Sequence, residues 1–142
     1  MAYYMKKYLI LSLVFVILGL SFGVYYREAT KIMAYTGYTA LAVIHPHLII
    51  LGGAFNLFMF FFTRKENFPS KVKSNIFFYA YNIGLALMAT MMCVRGSLQV
   101  FNVDIKSSIS SMISGIAGLT HITLAFGIIM FFVNLFGLVR KQ

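Results

Sequence analysis

Charged residues divide the chain into four uncharged stretches. Tyr8 to Tyr26, Ile32 to Thr63, Ser74 to Val94 and Ser107 to Val139 contain no Lys, Arg, Asp or Glu. A helix needs about 20 predominantly apolar residues to cross the hydrocarbon layer of a bilayer. The first and third stretches are about that long, and the second and fourth are longer. The pattern predicts four spans, at about 8–26, 42–62, 75–100 and 111–138, in a single transmembrane domain covering 1–142. Short connections make consecutive spans antiparallel. The expected fold is therefore all-α, an integral membrane four-helix bundle running up-down-up-down.

The connections differ in character. Tyr25-Tyr26-Arg27 closes the first span as an aromatic anchor followed by a charge. Ile32 to Ala42 holds Tyr35, Thr36, Gly37, Tyr38 and Thr39, too polar for hydrocarbon, and is expected in the outer interface. Arg64 to Lys73, with Pro69, reads as a cytoplasmic turn, and Asn102 to Ser110 as an outer loop. Ser111, Ser114, Gly115, Gly118 and Ala125 recur at helical spacing along the fourth span. With Gly52-Gly53 and Gly84 they are the expected points of close helix approach.

Composition agrees with this reading. Of 142 residues, 61% are hydrophobic and 11% charged, so lipid must serve as solvent for part of the surface. Lys6-Lys7 before an apolar run imitates a secretory signal. The run is too long for one and no A-x-A-like site follows, so it is expected to be retained as the first span. The net charge of +9 follows membrane topology rather than a nucleic-acid surface. With the N-terminus cytoplasmic, the inside carries Lys6, Lys7, Arg64, Lys65, Lys71, Lys73, Arg140 and Lys141, and the outside Arg27, Lys31, Arg95 and Lys106. That asymmetry satisfies the positive-inside rule for a multi-pass cell-membrane protein with both termini cytoplasmic. The expected partner of the charge is the lipid bilayer, not nucleic acid.

All three histidines fall in the spans. His45 and His47 open the second span in the sequence Val43-Ile44-His45-Pro46-His47-Leu48, and His121 lies in the fourth. An ionisable residue in a span is a functional hypothesis by default. Two imidazoles from different helices are a usual means of holding haem b by its iron, and they ligate in the neutral form. Arg95 and Arg27, toward the outer ends of their spans, are candidate cations for the haem propionates. In a regular helix His45 and His47 face opposite ways. The His45 face continues through Gly52 and Asn56, and the His47 face through Leu51, Ala54 and Phe58. Asn56 should avoid lipid, which by polarity alone turns His45 inward, but Pro46 at the helix start disturbs this spacing; one of the two histidines is expected to serve a ligand and the other to meet a partner chain.

Val43 to Phe62 is similar to the His-x-His helix of the catalytic subunit of haem-copper oxidases and nitric oxide reductases. That resemblance covers about 20 of 142 residues. By it, His47 and His121 would form a low-spin haem pair with His45 left over. The copper-ligating histidines of those enzymes have no counterpart, because the chain has 3 histidines. Nearly the whole chain resembles a family of small four-helix bacterial membrane proteins of unknown function. The carriers are Tyr26-Arg27-Glu28, His45-Pro46-His47-Leu48, Tyr81-Asn82-Ile83-Gly84, Val94-Arg95-Gly96 and Ser114-Gly115-Ile116-Ala117-Gly118.

The leading expectation is a haem b protein for electron transfer or diatomic gas sensing, with a redox partner protein or quinone, and a homodimer is compatible with it. Copper is the alternative occupant, through Met88, Met91, Met92, Cys93 and the histidines. Met91 and Met92 also read as core fillers, which ranks copper below haem. A third alternative is a cofactor-free transporter or partner subunit, in which Asn56, Asn82 and Asn134 line a path or bind helices together. No nucleophile–base pair or carboxylate pair is present, which disfavours a hydrolase.

Overall fold

A computed structural model of the protein describes residues 2–65 and 71–140, and side chains within 6–64 and 73–140. The chain runs α1 (Ala2–Ile32), α2 (Leu41–His47), a π-helical segment (Leu48–Ala54), α3 (Phe55–Lys65), α4 (Lys71–Val100) and α5 (Ser107–Val139). α2, the π segment and α3 are continuous and make the second span. Four helical stretches are long and apolar enough to cross a membrane: Lys6–Ile32, Leu41–Arg64, Lys73–Val100 and Ser107–Val139. The expected turn around Pro69 lies outside the described residues.

The helices outrun the apolar windows that announce them. α1 continues past Arg27 and Glu28 because nothing there breaks a helix, and the Thr30 hydroxyl bonds the Tyr26 carbonyl at 2.8 Å. α5 begins at Ser107 rather than near 111, because Lys106 is extended (φ −56°, ψ 144°) and the serines after it are free to turn. Hydropathy marks the hydrocarbon-spanning part of a helix; its ends are set by backbone capping.

α1 and α4 end alike. The Tyr35 N–H bonds the Thr30 carbonyl at 2.9 Å and Ala34 N–H the Lys31 carbonyl at 3.2 Å, while Val103 N–H bonds Leu98 and Asn102 N–H bonds Gln99. These are Schellman caps, which need a left-handed residue at the turn. Asn102 adopts it at φ 48°, as asparagine does readily, but at the first cap the residue is Ala34 at φ 47°. Ala34→Gly is therefore expected to stabilise the protein by about 0.5–1 kcal/mol. The check is the unfolding midpoint in detergent.

α1 lies antiparallel to the second span along a seam of glycines. A Cβ on Gly19 would come within 2.7 Å of Ile49 Cγ1, and one on Gly52 or Gly53 would run into Phe15 or Val16. Gly19 and Gly23 are four residues apart, the spacing that lets two membrane helices approach closely. The second span in turn packs on α4, where Gly96 sits against the backbone of Leu41. α5 packs along α4, with Gly84 against Leu124 and Gly127 against Tyr81. Phe55, Phe77, Tyr81 and Phe131 join the second span to α4 and α5 (Phe55–Tyr81 4.6 Å, Phe55–Phe131 5.5 Å between centroids). At the two ends α1 also reaches α4, through Tyr8 against Phe78 and through Tyr25 Oη to Ser97 Oγ at 2.9 Å.

The expected role of the small residues is thus half right. Gly52, Gly53 and Gly84 are contact points. A Cβ on Gly115 or Gly118 would meet nothing within 4 Å, and Ser111, Ser114 and Ala125 are exposed. The reason is phase: the face of α5 that meets α4 carries Thr120, Leu124, Gly127, Phe131 and Asn134. Ser114 alone of the stripe is bonded to α4, through Arg95, and the rest lies on another side of the same helix.

Candidate histidine and polar sites

The π segment follows directly from the sequence that opens the second span. Pro46 has no N–H to give the carbonyl four residues back, and Gly52-Gly53 tolerate a widened turn. Widening loosens the backbone ladder, and side chains take up the carbonyls. Tyr81 Oη donates to Leu51 O, Asn56 Nδ2 to Gly52 O and Ser12 Oγ to Gly53 O, each at 2.8 Å. Three successive carbonyls are thereby tied to α4, to the span itself and to α1. π-helical segments are rare in proteins, and this one, 7 residues long, begins immediately after His47.

The extra residue in the turn also re-phases the helix. His45 and Gly52 both face α1, with the His45 side chain 3.7 Å from a Cβ at Gly23. Asn56, expected on the same face, instead points to α4 and donates to Asn82 Oδ1 at 2.9 Å. Asn82 Nδ2 in turn donates to the Phe78 carbonyl at 2.9 Å. Asn134, fully buried, donates to the Met130 carbonyl at 2.7 Å and to the Lys73 carbonyl at 3.3 Å. All three asparagines bind helix to helix, as one of the two sequence expectations has it.

His45 lies in the α1 seam with Nδ1 buried and unpartnered. His47 is half-buried, and His121 is exposed on the flank of α5. These last two share one arrangement. His47 Nδ1 donates to the Val43 carbonyl at 2.6 Å and His121 Nδ1 to the Ala117 carbonyl at 2.8 Å. A carbonyl only accepts, so Nδ1 bears a proton in this arrangement and Nε2 is the nitrogen left without an intrahelical partner. That is the tautomer and orientation of a histidine whose Nε2 is presented to a metal.

Their depths are close as well. The α4–α5 register set by Gly84 against Leu124 and Arg95 against Ser114 places His121 opposite Leu87. The register set by Gly96 against Leu41 and Asn82 against Asn56 places His47 opposite Thr90. Three residues along α4 correspond to roughly 4–5 Å. Neither imidazole is enclosed, so the two do not share an interior slot of the bundle.

Arg27 is exposed and approaches Glu28 at 3.9 Å, too far and too solvated to hold it firmly. Arg95 Nη1 donates to Ser114 Oγ at 3.2 Å. Both lie toward the end of the bundle that carries the α1–α2 and α4–α5 connections. Met88 is buried, while Met91, Met92 and Cys93 are half-buried. Among the described residues no three of His, Cys, Asp and Glu gather at metal-binding range, so a copper site would rest on methionine sulfur. Sequence reasoning missed the Gly19–Gly23 pair, which its spacing announces, and the hydroxyls of Ser12 and Tyr81, which no spacing announces.

No curated protein and no solved structure matches the chain, so nothing in those comparisons supports kinship with haem-copper oxidases. A family model does match residues 5–137, nearly the full length, and includes all three histidines and both arginines. The protein belongs to the family described as protein of unknown function (DUF2871).

Proposed function

We propose that this multi-pass membrane protein binds haem b through His47 and His121, for electron transfer or the sensing of a diatomic gas. The observation that carries the reading is their common geometry: in each, Nδ1–H is given to the carbonyl four residues back, leaving Nε2 for iron. Neutral imidazole lets a membrane helix present such a ligand without burying a charge. Haem, when bound, supplies a redox-active iron. The chain supplies the two nitrogens, apolar walls and a cation for the propionates. Arg27, exposed at the connection end, is the less committed of the two arginines. The excess of Lys and Arg at the opposite end favours both termini in the cytoplasm.

Because His121 is exposed and the two imidazoles do not share an interior slot, His47 of one copy and His121 of another would hold each haem across the flank of α5. Protein purified from haem-replete cells is expected to show a Soret band and a sharp reduced α band. His47→Ala and His121→Ala should each abolish the spectrum of a two-histidine haem, while His45→Ala should leave it. An intact spectrum in His121→Ala would overturn the pairing.

A further inference from the structure

Between the end of α4 and the start of α5 lies an open cleft of about 530 Å³, within the usual size range of ligand pockets. The fold positions its walls firmly. The Schellman cap at Asn102 turns the chain out of α4, and the Arg95–Ser114 bond ties α4 to α5 two turns into the latter. Arg95, Ser110 and Ser114 line the cleft, and Arg95 Nη1 donates to Ser114 Oγ at 3.2 Å. Asp104, Asn102 and Gln99 line it as well, with Gln99 Oε1 already accepting from the Ala40 N–H at 2.9 Å. Arg95 and Asp104 share the cleft without a salt bridge between them, whereas Arg27 and Glu28 do approach one another.

An arginine and an aspartate that face one cavity unpaired are complementary to a molecule carrying both charges. The arginine side has the features of a phosphate site. The guanidinium gives charge-assisted bonds, serine hydroxyls are donors, and the first turn of α5 contributes its positive dipole end. The Asp104 carboxylate, with the Asn102 amide on the same lining, accepts from a primary ammonium. Aliphatic Leu98, Ile105 and Ile113 complete the lining. Arg95 and Leu98 belong to the last turns of one span and Ser110 and Ile113 to the first turns of the next, which is the level of lipid headgroups.

We propose that this cleft binds a phosphoethanolamine zwitterion, with the phosphate on Arg95 and the serines and the ammonium on Asp104. At this depth a phosphatidylethanolamine headgroup is one source and soluble phosphoethanolamine the other. The site is independent of the haem reading. It takes Arg95 out of the set of cations for haem and leaves Arg27 for the propionates.

The test is native mass spectrometry of the full-length protein released from detergent micelles doped with dioleoyl phosphatidylethanolamine, phosphatidylcholine or phosphatidylglycerol. Phosphatidylethanolamine adducts should persist about tenfold more than either competitor, since a quaternary ammonium cannot donate to Asp104 and glycerol carries no cation. Asp104→Asn, on an exposed loop, should cut phosphatidylethanolamine binding about tenfold and leave phosphatidylglycerol binding as it was. Arg95→Gln should weaken binding of both. Displacement of the lipid by millimolar phosphoethanolamine would identify the soluble zwitterion as the ligand; failure to displace it identifies the lipid. Equal retention of the three lipids, or phosphatidylethanolamine binding untouched by Asp104→Asn, would overturn the proposal.

Discussion

Gly84→Ala and Gly127→Ala should each lower the unfolding midpoint in detergent by several degrees, while Gly118→Ala should leave it in place. The three substitutions add the same methyl group to long membrane helices. At Gly84 the methyl would meet Leu124 N at 2.7 Å and Leu124 Cα at 2.9 Å. At Gly127 it would meet Tyr81 N at 2.6 Å. The opposing atoms are backbone, so no rotamer change makes room, and α4 must separate from α5. Overpacking of this kind costs about 1–3 kcal/mol, and these sites belong at the upper end of that range. At Gly118 nothing lies within 4 Å. The effect is large because α4 is the helix on which α5 rests: 44% of its apolar window is buried inside the protein, against 17% for α5. Maleimide labelling of Cys93, half-buried on α4, offers a second readout, since separation of the helices should accelerate it. Equal losses at all three glycines would contradict the α4–α5 contact described above.

The second large effect concerns the buried amide pair. Asn82→Leu is expected to destabilise by about 1–3 kcal/mol, because Asn56 Nδ2 loses its partner on α4 inside an apolar core. Asn56 Oδ1 already lacks a partner, so the remaining side chain would hold only the Gly52 carbonyl. Replacing both asparagines by leucine removes the stranded amide as well. The double variant should therefore lose less than the sum of the two single losses, and chemical denaturation of the four proteins measures that coupling. Strict additivity would mean that the pair does not act as a unit. Asn56→Leu has a further consequence, since it withdraws one of the three side-chain bonds that serve the π segment below His47.

Much of the fold is legible in the sequence because membrane solvation is a coarse, one-dimensional constraint. Gaps between charges locate four helices, and their even number puts both ends of the chain on one side of the bundle. Helix rotation is less legible. The stripe from Ser111 to Ala125 has the spacing of a packing face, yet α5 turns Gly127 toward α4 and, Ser114 apart, the stripe away. Several faces of an almost uniformly apolar helix satisfy the pattern, and only the partner's shape chooses among them. Asn56 departs from its expected face for a different reason. Regular helical phase does not carry across Pro46 and Gly52-Gly53, where the backbone widens into a π-helix. The histidine site is legible as residue types at a common depth. The direction of each imidazole is not, since it depends on those same rotations. Nor is the cleft visible in the sequence, because Arg95 and Asp104 line one cavity after the cap at Asn102 turns the chain out of α4.

The most direct measurement is the haem content of the wild-type protein purified from haem-replete cells, quantified against protein by the absorbance of its reduced pyridine complex. Histidine ligation through His47 and His121 predicts stoichiometric haem b, one per chain, whether each pair comes from one chain or from two copies. Colourless protein that is folded, with its unfolding midpoint intact, would contradict it.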